Sequence, residues 1–196
     1  SVKIGDISEK DFRLPAARKY RVIELIEDQI ISSQSVYQTE AEYSGEPPSV
    51  ELIGHNLVKI AVVERHHRTG NVGLGLLRNY GLRRGAVATS IGHDAHNIMV
   101  AGIAAKDMEI AVRELEKMQG GLVIVVEGKV QAALALPVAG LMALKSTKEV
   151  ASRLTKMREL AKSLGVNREG PFMTLSFMGL TVIPELKLTA QGLVDV

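Results

Sequence analysis

GAVATSIGHDAHNIMVAG, residues 85–102, is the stretch from which the fold is read. Two apolar runs, 86–91 and 98–101, bracket the polar set His93-Asp94-Ala95-His96-Asn97. Runs this short, rich in β-branched side chains and bounded by polar or glycine residues, mark buried strands. The polar break between them is then a loop or tight connection. His93, Asp94, His96 and Asn97 can each donate, accept or ligate, and two stiff elements hold them in place. A site is built this way, and so is a hydrogen-bonded corner.

Upstream of that core, LVKIAVV at 57–63 reads as another strand, running into Glu64-Arg65-His66-His67-Arg68. Residues 69–71 break the chain, and the Gly-rich segment 72–77 reads as the opening of a short helix ending near Gly81. Residues 20–31 predict a strand with a turn near Glu27-Asp28. The polar stretch 32–50, with Gly45-Glu46-Pro47-Pro48, predicts an exposed excursion, and 1–19 a lead-in or linker.

Downstream, Met108, Ala111, Val112, Leu115 and Met118 fall at helical spacing and predict a helix over 107–119. Asp107 stands where it could cap the first N–H groups, and Gly120-Gly121 stops the helix. The apolar run 122–126, the turn Glu127-Gly128 and the alternating Val130, Ala132, Leu134 and Leu136 predict a β-hairpin. Ser146-Thr147-Lys148-Glu149 has capping-box spacing and opens a helix that Gly165 ends. The tail 171–196 is apolar but interrupted by Gly179 and Pro184, and its periodicity settles no assignment. Together these elements predict an α/β (α+β) chain, a mixed β-sheet with helices covering at least one face. A single domain over 20–196 follows.

Composition narrows the function classes. The 196 residues are 46% apolar and 23% charged, as in an ordinary globular protein. Basic and acidic residues nearly cancel, 24 against 22, so no field draws in nucleic acid, and no basic stripe carries interleaved aromatics. With no Cys there is no disulfide framework, thiolate metal site or Cys nucleophile. No run has the length of a membrane span, and a cytoplasmic location is expected. The first residue, Ser1, suggests a piece of a longer chain.

His93 and His96 could bind a metal, transfer protons or satisfy exposed backbone at the strand junction. Two His are too few for a metal cage. Glu64 and His66, on one face if the strand continues through them, could complete such a set. Either could face the His93 cluster, because ends of neighbouring strands often meet at one edge of a sheet. Alternatively, residues 64–68 are a solvated run of weak ion pairs. The glycines of 70–75 invite a phosphate-loop reading, but their order is wrong for a dinucleotide fingerprint and no Gly-Lys-Ser/Thr follows. Phe172, Met173, Phe177 and Met178 could line a pocket or interface, or serve as plain core.

The longest motifs are VKIGD at 2–6, KIAVVERHHRTGNVGLG at 59–75, GLRRGAVATSIGHDAHN at 81–97 and LPVAGLM at 136–142. PFMTLSFMGLTVIPELKLTAQGLVDV at 171–196 joins them. In this order they resemble the C-terminal domain of bacterial and archaeal adenine deaminase, of the amidohydrolase superfamily. The resemblance covers nearly the whole chain and is poorest over 32–49.

It implies a parent enzyme that hydrolyses adenine to hypoxanthine and ammonia, breaking a cyclic amidine C–N bond in purine salvage or adenine catabolism. The family's metal-bound water, with manganese or iron, belongs to an upstream (β/α)8 barrel that opens with His-x-His. This chain is not that barrel and has no His-x-His. It is therefore expected to be inactive alone, with no catalytic residue and no cofactor of its own, since the chemistry requires a metal-activated hydroxide. The resemblance carries the His-Asp-x-His-Asn motif onto His93, Asp94, His96 and Asn97, with Ala95 where relatives have Ser. The implied partners are the chain's own N-terminal barrel, adenine in the parent enzyme, and further copies in a homo-oligomer. The alternatives are a stand-alone small-molecule-binding module, or an oligomerisation domain using 172–183.

Overall fold

The computed structural model describes residues 2–39 and 43–196. In chain order the elements are β1 (Lys19–Leu25), β2 (Ser32–Gln38), α1 (Ser49–Gly54), β3 (Leu57–Val63) and β4 (Val72–Arg78). Then come β5 (Ala86–Thr89), β6 (Ile98–Gly102), α2 (Ala105–Lys117), β7 (Gly121–Val126) and β8 (Lys129–Ala135). The chain ends with α3 (Thr147–Ser163), α4 (Pro171–Met178), β9 (Leu186–Thr189) and β10 (Gly192–Asp195). Strands β1 to β8 form one open sheet in the order β2-β1-β4-β3-β6-β5-β7-β8, and β9 and β10 form a separate hairpin. The β1–β4 pair is parallel and its neighbours are antiparallel, so the sheet is mixed, as the hairpin and helical crossovers predict.

Strand β3 is buried at every position because both faces of the sheet are covered. Side chains alternate across a strand. Val58, Ile60 and Val62 accordingly join Phe172, Leu175 and Leu188 in one cluster. Ala61 and Val63 join Met108, Val112 and Leu115 of α2 in another. The second cluster also takes in Val2, Ile4, Ile7 and Phe12, from the stretch expected as a lead-in.

Residues 32–50, expected as an exposed excursion, divide into an edge strand, a connection and the start of α1. Ser32 and Tyr37 are buried. Glu46 reaches inward to the buried Lys59 ammonium, at 3.0 and 3.2 Å, and accepts Leu14 N–H at 3.0 Å. A charge in the core needs such a partner.

Two expectations are corrected. The Gly-rich 72–77 is strand, not helix. Its glycines make room for the β9–β10 hairpin: a Cβ on Gly73 would lie 1.8 Å from the Thr189 carbonyl oxygen. Asp107 does not cap α2. Its carboxylate turns away and accepts Glu127 N–H at 3.2 Å and Gly128 N–H at 2.7 Å, fixing the β7–β8 turn. The Ser146–Glu149 capping box forms as expected, with Glu149 N–H on Ser146 Oγ and Ser146 N–H on Glu149 Oε2. In the ambiguous tail, α4 buries Phe172, Leu175 and Met178 against the sheet, and β9 adds Leu186 and Leu188.

Candidate functional site

Register places the polar residues. Val63 pairs with Ile98 in the antiparallel β3–β6 ladder, so residues past Val63 face those before Ile98. Arg65 N–H accordingly donates to Asn97 Oδ1 at 3.3 Å, and the His66 ring Nε2 lies 2.7 Å from the Ala95 carbonyl. The strand ends meet as expected. Only part of the 64–68 run faces the histidines, however.

Glu64 does not reach them. One carboxylate oxygen accepts the N–H groups of His66 and His67, and the other accepts Thr69 N–H and Thr69 Oγ1, each at 3.2 Å. Burial pushes its pKa up, but these four hydrogen bonds outweigh it and hold the carboxyl below its ordinary range. Glu64 organises its own turn.

The residue that the sequence reading passed over is Arg65. It is only 2% exposed, and its Nε donates to the His96 carbonyl while an Nη donates to the Ala139 carbonyl at 3.0 Å. One guanidinium therefore ties the loop 92–97 to the turn that follows β8. Gly140, with φ of 75°, fits against it, since a Cβ there would lie 2.2 Å from Arg65 Nη1. Ser90 adds a second tie, donating to the Gly140 carbonyl at 2.6 Å and accepting Gly121 N–H at 2.7 Å. No carboxylate among the described residues pairs with Arg65. The only sequence signal for Arg65 was its place beside Glu64 at a strand end.

Within the loop, Asp94 and His96 both take left-handed backbone, at φ 63° and 47°. Such conformations cost energy in non-glycine residues and persist where the surroundings enforce them. Here Arg65 does so. The His93 ring stacks on Phe177 of α4, with centroids 4.4 Å apart and planes 22° apart. His93 Nε2 and His96 Nδ1 are buried without a hydrogen-bond partner among the described residues. Burial first, and then the positive charge of Arg65, lower the His96 pKa, so its imidazole is neutral at neutral pH.

A cavity of about 90 Å³ lies beside the loop, between His93, Asp94 and Asn97 on one side and Met99, Thr181 and Thr189 on the other. Pockets that enclose a small-molecule ligand start near ~300 Å³. This one admits water or one inserted side chain, and any larger molecule would touch only its rim. Among the described residues no three His, Asp or Glu side chains come together as metal ligands. With His93 stacked and Glu64 occupied, the cluster does not fit a metal ion.

The chain matches the family model described as adenine deaminase C-terminal domain over residues 33–196. It is 45% identical over 196 residues to an adenine deaminase of Petrotoga mobilis, covering all of this chain and 34% of that protein. Adenine deaminase 2 of Carboxydothermus hydrogenoformans is 42% identical over 198 residues, and an adenine deaminase of Nitratidesulfovibrio vulgaris 46% over 199, each again with 34% of its length covered. The chain thus spans about a third of the relatives it matches, whose remaining length lies outside this domain. Among the described residues no helix is long and apolar enough to cross a membrane. The chain belongs to the adenine deaminase C-terminal domain family.

Proposed function

We propose that this chain is the non-catalytic C-terminal domain of an enzyme that hydrolyses adenine to hypoxanthine and ammonia. Its loop 92–97 faces the N-terminal catalytic region and helps close the adenine pocket. The observation that carries this reading is the pair of unpartnered imidazole nitrogens, His93 Nε2 and His96 Nδ1, in a loop that Arg65 and His66 hold at the His96 and Ala95 carbonyls. Buried polar atoms normally find partners, and leaving one unpaired costs about 1–3 kcal/mol. This chain's own atoms already shield both nitrogens, so partners supplied by the catalytic region or its substrate would remove that cost only through a shift of the loop on assembly.

A divalent metal, manganese or iron, belongs in this reading to the N-terminal region, because the residues here do not form its ligand set. There it would supply the activated water. This chain's own residues would do different work. The neutral His96 offers a hydrogen bond without placing a second positive charge beside Arg65. His93, braced by Phe177, keeps one orientation. A cytoplasmic location, a role in purine salvage and a homo-oligomeric assembly complete the proposal.

The test is an adenine deaminase assay with added Mn²⁺ or Fe²⁺ on this chain and on the full-length protein. No turnover is expected from this chain, and His93→Ala in the full-length protein should lower kcat/KM. Turnover by the chain alone would overturn the division of labour.

A further inference from the structure

The turn after β8 reads LPVAGLMAL over residues 136–144, with no polar side chain in it. A turn of this composition is normally folded inward, because apolar surface is driven out of water. Here Leu136 is buried, but Val138, Met142 and Leu144 point outward, Met142 at 58% and Leu144 at 79% exposure. The segment is not loose. Val138 and Met142 form a β-bridge, Arg65 holds the Ala139 carbonyl and Ser90 holds the Gly140 carbonyl. Two buried polar side chains thus fix an apolar surface in the exposed position, which stability of this chain alone does not call for.

We propose that the 136–144 turn is the apolar anchor by which this domain seats on the N-terminal region that its longer relatives carry. The inference rests on the reading of the 92–97 loop as facing that region, and it names the contact that aligns the loop. Arg65 bonds the His96 and Ala139 carbonyls with one planar group, so the anchor and the histidines form one rigid surface. Whatever covers the turn also meets the histidines. Area decides between occupants. Three protruding side chains fall far short of the ~800 Å² per partner that a stable complex of separate chains buries. A region joined covalently to the domain has a high effective concentration and needs no such area. About two-thirds of each matched relative lies outside this domain, which is ample chain to supply it.

Methionine oxidation footprinting tests this, because Met142 is itself the probe. This chain and the full-length protein are exposed to dilute hydrogen peroxide with a methionyl peptide as dosimeter, and Met142 sulfoxide is followed by mass spectrometry. Oxidation of Met142 should be at least about fivefold slower in the full-length protein, and Leu144→Asp should restore the faster rate. Equal rates in the two proteins would overturn the proposal. So would protection in this chain alone that grows with its concentration, since the occupant would then be a second copy. The two readings fail separately. An unprotected Met142 beside a kinetic defect in His93→Ala removes the anchor and leaves the loop's role. A protected Met142 beside normal His93→Ala kinetics does the reverse.

Discussion

Two polar turns lie side by side at one end of the sheet, and they are built on opposite plans. In the turn after β3, the Glu64 carboxylate accepts four hydrogen bonds from residues within five positions of itself, and both its oxygens are satisfied. In the loop between β5 and β6, the backbone is held from outside by Arg65 while two imidazole nitrogens stay unpaired. Both clusters are dense in chemistry-bearing residues. Among the described residues the first leaves one Arg65 Nη without a partner while the second leaves two imidazole nitrogens, so the spare acceptor capacity lies in the second. The difference separates a polar group that builds structure from one available to a partner. Substitutions in the first turn should therefore act on stability, and substitutions in the second on activity with only a small effect on stability.

Arg65 belongs to both sides and should show the largest effect. Arg65→Met leaves the His96 and Ala139 carbonyls unpaired, at about 1–3 kcal/mol each. Relief of the buried charge offsets part of this. A net loss of about 2–4 kcal/mol, or roughly 5–15 °C in Tm, is expected by thermal unfolding of this chain. An unchanged Tm would show that the two turns are held independently and would dissolve the comparison.

Lys187 is a control outside both turns. It is fully buried, its Nζ donates to Ser32 Oγ at 3.0 Å, and burial pushes its pKa down to about 8. Because the folded value lies below the unfolded one, the folded state resists protonation. The stabilising contribution is then complete above the unfolded pKa, near 10.5, and is lost as pH falls through about 8. Tm should rise between pH 8 and 10, and Lys187→Met should raise Tm at pH 7 and flatten that rise. A buried cation that has no acid partner among the described residues and behaves so is a structural cost and nothing more.

Glu64→Gln should cost about 1–3 kcal/mol, since an amide presents one acceptor and one donor to four donors. Deaminase kinetics of the full-length variant should match wild type. The Glu64 carboxyl is held low in the folded chain, so its contribution is present above the unfolded pKa and lost as pH falls below about 4.5. The variant's Tm should fall less steeply than wild type through that acid range. A kinetic defect in Glu64→Gln would blur the contrast between the turns.

His96 should give the smallest effect on stability. Its lowered pKa makes the folded chain resist protonation, so a modest loss of Tm is expected as pH falls below about 6.5. His96→Gly keeps the left-handed backbone without a side chain and should remove that loss.

Much of this molecule was legible from residue patterns. The strands flanking the histidines, the α2 stripe of Met108, Val112 and Leu115, the Glu127-Gly128 hairpin and the Ser146 cap all rest on local rules, and the structure keeps them. What escaped depended on contacts distant in sequence. The glycines of β4 looked helical because nothing nearby in the chain announces that Thr189 will cross at Gly73. Asp107 looked like a cap, and the donors that claim it arrive twenty residues later. The tail helix α4 mixes Phe, Met, Thr and Ser without period, because several elements surround it. At the site, strand register made His66 legible, whereas Arg65 was hidden because its partners are carbonyls at 96 and 139, which no side-chain pattern records.

The central claim is that the unpartnered imidazole groups act on adenine turnover and the fully bonded carboxylate does not. The most direct measurement is kcat/KM for adenine in the full-length protein carrying His96→Gly, beside the Tm of the same substitution in this chain. Loss of one hydrogen bond made on assembly, about 1.5–3 kcal/mol, predicts a roughly tenfold to hundredfold fall in kcat/KM. Tm should stay within a few degrees of wild type. Wild-type kinetics with a clearly lowered Tm would contradict the account and return the His93–Asn97 loop to the structural role that Glu64 plays beside it.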